Sequence, residues 1–476
     1  MPPASSAALP LLAPRVQLLL TCLAGALALP VPAFAQAPSA SGVERASFES
    51  VRYREDWSLA PHGDALDPLK HITLADDAWL SIGGHVRGRI ERDDNFQGGG
   101  PGTRSNSFEL LRTHLHVDLH AASHLRLFVE GRLATARDRD LPGGIRITDR
   151  DDGDILNAFV ELNALPLAGA AWVVRVGRQE LLFGHERLVS PSDWSNVKRT
   201  FQGAVIEGHG DGWTLSAFAT HPVILIPAAP DVPDVHAAFW GAELTLASRG
   251  QSRVTDLYAY VRSTDAAGVT PFAQRTTVGA RRVAPIGDTR FGYEVEGGVQ
   301  LGAAGNVQAT AVMLDAEVNA SWKGAWSPVL SVGAGYASGS DANTSSQANT
   351  WDQLFPLAHS HLGYADVLGR KNVIEERIVV QAAATSHLRL RAAVHAFQRA
   401  NTGDAAYDVT GAVLRAPGAG AADDIGSEAD LTAQWRVGTH LRLDGGLAHF
   451  RPGAFLVETG AALPYTWAFA SVTATF

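Results

Sequence analysis

Residues 80–91 read LSIGGHVRGRIE, and this stretch decides the fold. Leucine, isoleucine and valine occupy its even positions, whereas serine, histidine, arginine and glutamate occupy its odd positions. Successive side chains of a strand point to opposite faces, so the stretch predicts a strand with one apolar and one ionised face. Residues 111–119 (LRTHLHVDL) and 124–133 (HLRLFVEGRL) repeat the pattern. A helical period does not separate the two kinds of residue as well.

Alternating segments continue to the C-terminus and predict eighteen strands. They lie near residues 80–91, 107–119, 124–133, 155–163, 172–181, 201–208, 212–221, 237–247, 253–262, 274–283, 291–301, 306–319, 328–338, 373–384, 388–399, 425–437, 441–451 and 465–476. About ten residues is the length that a tilted strand needs to cross a bilayer. Because backbone groups in hydrocarbon must all be paired, a spanning sheet has to close on itself. We therefore predict an all-β protein, a single 18-stranded antiparallel transmembrane β-barrel.

The predicted connections alternate between two classes. Every second connection is short, as at residues 121–123, 386–387 and 438–439, and most of the others are long, as at 134–154 and 339–372. Short periplasmic turns and long extracellular loops are typical of an outer-membrane barrel. The architecture of a soluble sandwich or propeller does not require short and long connections to alternate.

The first 35 residues have the features of a cleaved secretory signal peptide. Arg15 precedes an apolar run over residues 16–29, and residues 33–35 (AFA) form a small-residue cleavage site. A retained membrane anchor is the alternative, which Pro30 and Pro32 disfavour because they interrupt the apolar run.

The predicted organisation is a signal peptide at residues 1–35, an N-terminal periplasmic lead-in at 36–79 and an outer-membrane barrel at 80–476. The lead-in is too short for the plug domain of a TonB-dependent receptor. The terminal Phe476 ends an alternating strand, which is the usual end of a barrel that the assembly machinery of the outer membrane recognises. The expected surroundings are therefore the lipids of a bacterial outer membrane.

The composition excludes several other classes of protein. Only 18% of residues are charged, against about a quarter in ordinary domains. Cys22 is the one cysteine and lies in the predicted signal peptide, so a mature disulfide scaffold, zinc ribbon or cysteine nucleophile is excluded. The net charge of −10 disfavours nucleic acid as a partner.

Eighteen strands enclose a lumen wide enough for water, and the ionised faces suit such a lumen. The predicted inward residues of the first three strands include Arg87, Arg89, Arg112, Arg126, Arg132, Glu91, Asp118 and Glu130. Arginine is always charged and binds carboxylates through a planar fork, which favours an anionic solute. The alternative is that arginine–glutamate ladders brace the wall and select nothing.

Several stretches carry a resemblance to a known family. The most specific is residues 177–180 (GRQE) followed by Gly184, Arg187, Trp194, Asn196, Arg199, Phe201 and Gly203. Residues 53–57 (YREDW), 335–341 (GYASGSD) and 426–431 (GSEADL) add to it. The chain resembles the alginate-export family of outer-membrane porins, with Gln179, Trp194, Asn196, Phe201 and Gly203 as family-motif residues. Gln202 stands where the family often has an acidic residue, which puts the polymer specificity in doubt.

This resemblance implies a monomeric barrel that passes an acidic polysaccharide such as alginate, or another anionic solute, by passive diffusion. By position, its basic constriction falls on Arg87, Arg89, Arg112, Arg132, Arg178, Arg187 and Arg199. A periplasmic export complex is a possible partner in such a system. A porin for small organic anions and a structural or adhesion barrel with a blocked lumen remain alternatives.

Other constellations point less clearly to chemistry. Asp149, Asp151 and Asp154 offer carboxylates at a spacing that can hold Ca²⁺, although a solvated acidic loop is the favoured interpretation. No other cofactor is expected. Ser190, His185 and Asp193 share one predicted loop, but spacing alone is weak evidence for a hydrolase. The sequence therefore predicts a channel that is not an enzyme.

Overall fold

The computed structural model describes residues 48–59, 63–98, 105–122, 124–167, 169–248, 250, 252–265, 273–304, 307–341 and 348–476. The predicted signal peptide lies outside the described residues. None of the helices in the described ranges is long and apolar enough to cross a membrane.

The described part of the chain is built almost entirely from strands. In chain order they are β1 Ile72–Ala75, β2 Ala78–Asp94, β3 Asn106–Ala121, β4 Leu125–Arg137, β5 Asp151–Leu167, β6 Ala170–Gln179, β7 Phe201–Gly210, β8 Trp213–Ile224, β9 Val232–Pro233, β10 Ala237–Ala247, β11 Val254–Thr264, β12 Ala273–Pro285, β13 Phe291–Ala304, β14 Val307–Ser321, β15 Val329–Ala337, β16 Val373–Ala383, β17 Leu388–Arg399, β18 Ala406–Tyr407, β19 Val413–Arg415, β20 Asp424–Val437, β21 Leu441–Pro452 and β22 Tyr465–Thr475. Short helices cover Ala358–His361 and Ala454–Thr459, and 3-10 turns cover Arg52–Arg54, Asp67–Leu69 and Phe96–Gly98.

Eighteen of these strands form one closed antiparallel sheet, namely β2–β8, β10–β17 and β20–β22. Each of them overlaps one predicted strand, so the predicted fold class is confirmed. The seam lies between β2 and β22, where His85 pairs with Thr475 and Asp94 with Thr466. Gly84 and Phe476 exchange two backbone hydrogen bonds of 2.8 and 2.9 Å, so the last residue completes the ring.

The two faces of the strands divide as the alternation predicts. Val86 is 41% exposed on the outside of β2, whereas its neighbour Arg87 is 4% exposed on the inside. The same contrast separates Leu115 from His114 on β3. The exposed apolar face is the surface that lipid chains cover, because apolar area avoids water.

The connections also alternate as predicted. β2 begins and β22 ends at one rim, called the terminal end here, where connections such as 122–124 and 438–440 are short. Connections at the opposite rim, the loop end, are mostly long, except between β13 and β14. The long loop-end connections can extend outward or fold into the barrel. Their course therefore decides how much of the lumen stays open.

Part of the lumen is packed, contrary to the expectation of a purely water-lined interior. A buried aromatic cluster lies on the inner faces of β7–β11 and the chain between β15 and β16, namely Phe201, Phe218, Phe239, Tyr260, Trp351 and Phe355. Residues 48–57 also lie against the inner wall, with Tyr53 edge-on to Phe159 at a ring distance of 5.1 Å. Residues 48–57 of the predicted lead-in therefore contact the barrel interior.

Candidate functional site in the lumen

Two loop-end connections fold into the barrel. Inner loop A is residues 180–200, between β6 and β7, and inner loop B is residues 338–341 and 348–372, between β15 and β16. The backbone N–H of Ser190 donates to the carbonyl of Phe355, and the N–H of Phe355 donates to the carbonyl of Leu188, both at 2.9 Å. The two loops are therefore joined by main-chain hydrogen bonds across the lumen.

Three predicted constriction arginines hold the tip of inner loop A. Arg112 donates from Nη1 to the carbonyl of Asp193 at 2.8 Å and from Nη2 to its carboxylate at 3.0 Å. Arg87 donates to the carbonyls of Asp193 at 3.1 Å and Ser195 at 3.0 Å. Arg89 donates to the carbonyl of Trp194 at 2.8 Å. These arginines thus fix the loop that folds into the lumen.

Trp194 fixes the same tip through its ring. The guanidinium of Arg89 lies 4.0 Å from the ring centre, and the ring of His359 from inner loop B stacks on it at 4.0 Å. Two groups so close to one ring cannot share a face, so the indole is sandwiched between the wall and inner loop B. Asn196 completes the anchor by donating to the carbonyls of Leu111 and Asp149 at 3.1 and 2.9 Å.

The remaining predicted residues of the first strands form ion pairs and hydrogen bonds within the wall. Both oxygens of Asp118 accept from Arg126 at 2.8 Å. Glu130 accepts from Asn157 at 2.8 Å, and Glu91 pairs with Arg89 at 2.7 Å. The Asp118–Arg126 and Glu130–Asn157 contacts join neighbouring strands and brace them, whereas Arg89 and Glu91 lie on the same strand.

Arg178 lies apart from the other predicted arginines. Its strand places it on the same face as Val176, which is exposed to the outside, whereas Arg175 and Gln179 face inward. Arg178 donates to the carbonyl of Asp231 at 2.9 Å, at the loop end. The family resemblance had assigned Arg178 to the constriction, but alternation along β6 turns it away from the lumen.

Two motif residues mark where β7 leaves inner loop A. Phe201 is fully buried and packs edge-on against Phe355 of inner loop B at 5.1 Å. A Cβ on Gly203 would come within 2.2 Å of the carbonyl oxygen of Ala219, so only glycine allows this approach of β7 to β8. Arg199 donates to the carbonyls of Ser190 and Phe355 at 3.0 and 2.8 Å.

A group of carboxylates that was not predicted from the sequence lies farther round the ring. We call it the acidic belt, and it includes Glu294 and Asp315. Arg187 of inner loop A donates to Glu294 at 2.9 Å and lies 3.1 Å from Asp315. Arg370 of inner loop B lies 3.1 Å from the same Asp315 carboxylate. The available signal was the alternation of residues 313–317 (MLDAE), which puts both carboxylates of this stretch on the inward face.

The calcium candidates separate in the structure. Asp151 and Asp154 come together with Asp231, whose carboxylate oxygens lie within 4.8 Å of theirs, whereas Asp149 pairs elsewhere, with Arg146 at 2.8 Å. Asp231 was not predicted, because it is distant in sequence. Arg132 donates to Asp151 at 2.9 Å and also to Asp231. The positive charge among these carboxylates is therefore an arginine of the chain itself, and we infer no metal here.

Comparisons with known proteins agree with this architecture. Residues 78–469 match the family described as alginate export. The fold is similar to Pseudomonas aeruginosa OccK9 (OpdG), with a TM-score of 0.59 and 14% identity over 83% of this chain and 98% of that chain. It is also similar to P. aeruginosa OccK2 (OpdF) in complex with glucuronate, with a TM-score of 0.54 and 13% identity over 83% and 98% of the two chains. A BenF-like porin from Pseudomonas fluorescens Pf-5 gives a TM-score of 0.56 and 10% identity over the same shares. No curated protein sequence matches this chain.

Proposed function

The chain belongs to the alginate export family and is an outer-membrane porin in fold, and from this premise we propose that its lumen passes small acidic sugars and related organic anions by passive diffusion. The terminal end then faces the periplasm and the loop end faces outward, as the short and long connections indicate. An acidic polysaccharide such as alginate is the alternative substrate within the same channel.

One observation carries the preference for anions. Arg87, Arg199, Arg275 and Arg399 face the lumen or its loops and donate to main-chain carbonyls. In the described ranges, none of the four has a carboxylate within 4.0 Å. A carbonyl oxygen leaves the charge of a guanidinium in place, and arginine does not lose its proton. Buried carboxyl groups, by contrast, can take up a proton, so the fixed charge in the lumen favours anions.

The size of the solute follows from the inner loops. Inner loops A and B are hydrogen-bonded to each other inside the barrel, so any solute has to pass beside them. A linear chain of sugars has the cross-section of one sugar, but it has to stay extended along the whole path past these loops, and a single acidic sugar does not. The OccK2 porin, which shares the fold, was crystallised with glucuronate, a sugar of this class.

The experiment is conductance and uptake in reconstituted bilayers. In a KCl gradient we expect a reversal potential that reports anion preference, and in liposome swelling we expect glucuronate to enter faster than glucose, with alginate oligomers excluded. Current carried mainly by K⁺ would contradict the proposal. Entry of oligomers at the rate of the monomer would favour the polysaccharide alternative.

A structural or adhesion barrel with a blocked lumen is the second candidate, and the packed inner loops favour it. A variant in which a short glycine–serine linker replaces residues 185–195 distinguishes the blocked barrel from the channel. Absence of conductance in both the wild type and this variant, with both migrating as folded barrels on unheated gels, would support the blocked barrel.

A further inference from the structure

Residues 48–57 lie inside the terminal end of the barrel and are not needed to close the sheet. Tyr53 is 4% exposed and packs against Phe128 and Phe159 of the inner wall. The guanidinium of Arg175 lies 4.5 Å from its ring centre. This segment contains the YREDW stretch, for which the channel proposal gives no role.

The same segment contacts both stems of inner loop A. The Tyr53 hydroxyl donates to the carbonyl of Glu180 at 2.6 Å, and Arg54 donates to the carbonyl of Leu182 at 3.0 Å, where the chain leaves β6. Lys198, where the chain returns to β7, donates to the carbonyl of Ser50 at 2.6 Å. The outgoing and returning stems are thus tied to one short piece of chain.

The segment is itself fixed to the barrel seam. Arg52 donates to the carbonyl of Phe476 at 3.0 Å and pairs with Glu55 at 2.7 Å. Arg126 of β4 donates to the carbonyl of Tyr53 at 2.8 Å. A displacement of residues 48–57 toward the terminal end therefore breaks contacts at the stems of inner loop A. The tip of this loop lies close to the same contacts, since Asp193 is 3.5 Å from the ammonium of Lys198.

The charge of Lys198 strengthens this tie. Burial lowers the pKa of the Lys198 ammonium, but Glu180 and Asp193 outweigh burial and hold the pKa above its ordinary value. The side chain thus remains an ammonium donor at neutral pH, and a charged donor makes a stronger hydrogen bond than a neutral one.

We propose that residues 48–57 act as an internal strap that holds inner loop A in the lumen, with Tyr53, Arg54 and Lys198 as its positioning residues. Release of the strap from the periplasmic side frees inner loop A and widens the passage. This inference goes beyond the identity of the solute and requires only that inner loop A moves.

The test measures exposure of inner loop A directly. Val189 is fully buried in this loop, and Val189→Cys in a Cys22→Ala background introduces a single thiol of similar size. The rate of its modification by a maleimide is compared with an intact strap, with Tyr53→Phe, with Tyr53→Ala and with Arg54→Ala. Tyr407→Phe is the matched control, because its hydroxyl donates to Asp404 in another connection. Arg54 is exposed, so Arg54→Ala is expected to leave the barrel folded. It keeps the test possible if Tyr53→Ala does not fold.

We expect the thiol at position 189 to be modified about fivefold faster in Tyr53→Phe and Arg54→Ala, because the loss of one hydrogen bond corresponds to about this factor. In Tyr53→Ala we expect its modification to be faster still. The control labels at the rate of the intact strap. Equal labelling rates in all folded variants would overturn the strap. Single-channel recordings of the same proteins test the channel separately, since a conducting protein with unchanged labelling refutes the strap alone.

Discussion

Arg187 of inner loop A and Arg370 of inner loop B each lie 3.1 Å from the carboxylate of Asp315 on β14. A third arginine, Arg377 of β16, approaches the same carboxylate at 2.8 Å. One buried side chain therefore holds both inner loops to the wall, although the two loops are more than 130 residues apart in the sequence.

Asp315→Asn keeps the size of this side chain and removes its charge, so we expect both inner loops to loosen. Removing one partner of a buried ion pair costs about 3–5 kcal/mol, because the remaining charges stay buried. Thermal unfolding of the barrel and labelling at Val189→Cys measure the effect. Glu317→Gln is the control, since Glu317 is partly exposed and its one ion pair in the described part of the chain is with Arg377. We expect a loss below about 1 kcal/mol. Similar stability of Asp315→Asn and wild type would contradict this assignment.

The anion preference depends on arginines that carbonyl oxygens hold. Arg275 on the inner face of β12 donates to the carbonyl of Thr350, whereas Arg282 lies on the outer face of the same strand. We expect Arg275→Gln to lower the anion-to-cation permeability ratio roughly sevenfold, because one charge about 7 Å from a passing ion in water contributes about 0.6 kcal/mol, with opposite sign for an anion and a cation. Arg282→Gln makes the same chemical change outside the lumen and leaves the ratio unchanged. Equal reversal potentials for the two variants would exclude a role for Arg275.

The ion pairs of Asp193 predict how the exposure of inner loop A responds to pH. Burial raises the pKa of its carboxyl, but Arg112, Lys198 and Arg87 more than offset burial and bring it well below the ordinary value. A carboxyl with a depressed folded pKa stabilises the fold above its unfolded pKa, about 3.9, and loses this contribution as pH falls through the folded value. We therefore expect Val189→Cys labelling to stay constant from about pH 8 to about pH 5, after correction for thiol ionisation.

The companion variant Asp193→Asn removes the charge at every pH. It is expected to label faster throughout this range, whereas Asp152→Asn, an exposed carboxylate paired with Arg150, leaves the rate unchanged. A steep rise in wild-type labelling between pH 7 and pH 5 would show that another group controls the loop.

Two glycines test the packing of the sheet. A Cβ on Gly203 meets a carbonyl oxygen at 2.2 Å, whereas a Cβ on Gly88 has its nearest neighbour, Val472 Cγ1, at 3.8 Å. Gly203→Ala is expected to destabilise the barrel by about 1–3 kcal/mol, and Gly88→Ala by less than about 0.5 kcal/mol. Urea unfolding in detergent measures both. Equal midpoints would mean that β7 and β8 can shift apart without cost.

The amino-acid sequence by itself determined the wall of this protein. In residues 80–91 the period of two assigns every side chain to lipid or lumen, because a strand has no third direction for its side chains. The same rule correctly put Arg87, Arg112 and Glu130 inside. Applied to β6, the same rule turns Arg178 outward, although the family resemblance placed this residue in the constriction.

Only the tertiary structure decided what fills the lumen. Arg87 and Arg112 hold residues 193–195, Arg187 and Arg370 share Asp315, and Tyr53 contacts Glu180. The residues of these pairs lie 55 to 128 positions apart in the sequence. No local period encodes such pairs, because loops fold inward only where closure of the sheet has already placed complementary groups. Alternation thus set the barrel, and the long-range contacts that closure created set the course of the inner loops inside it.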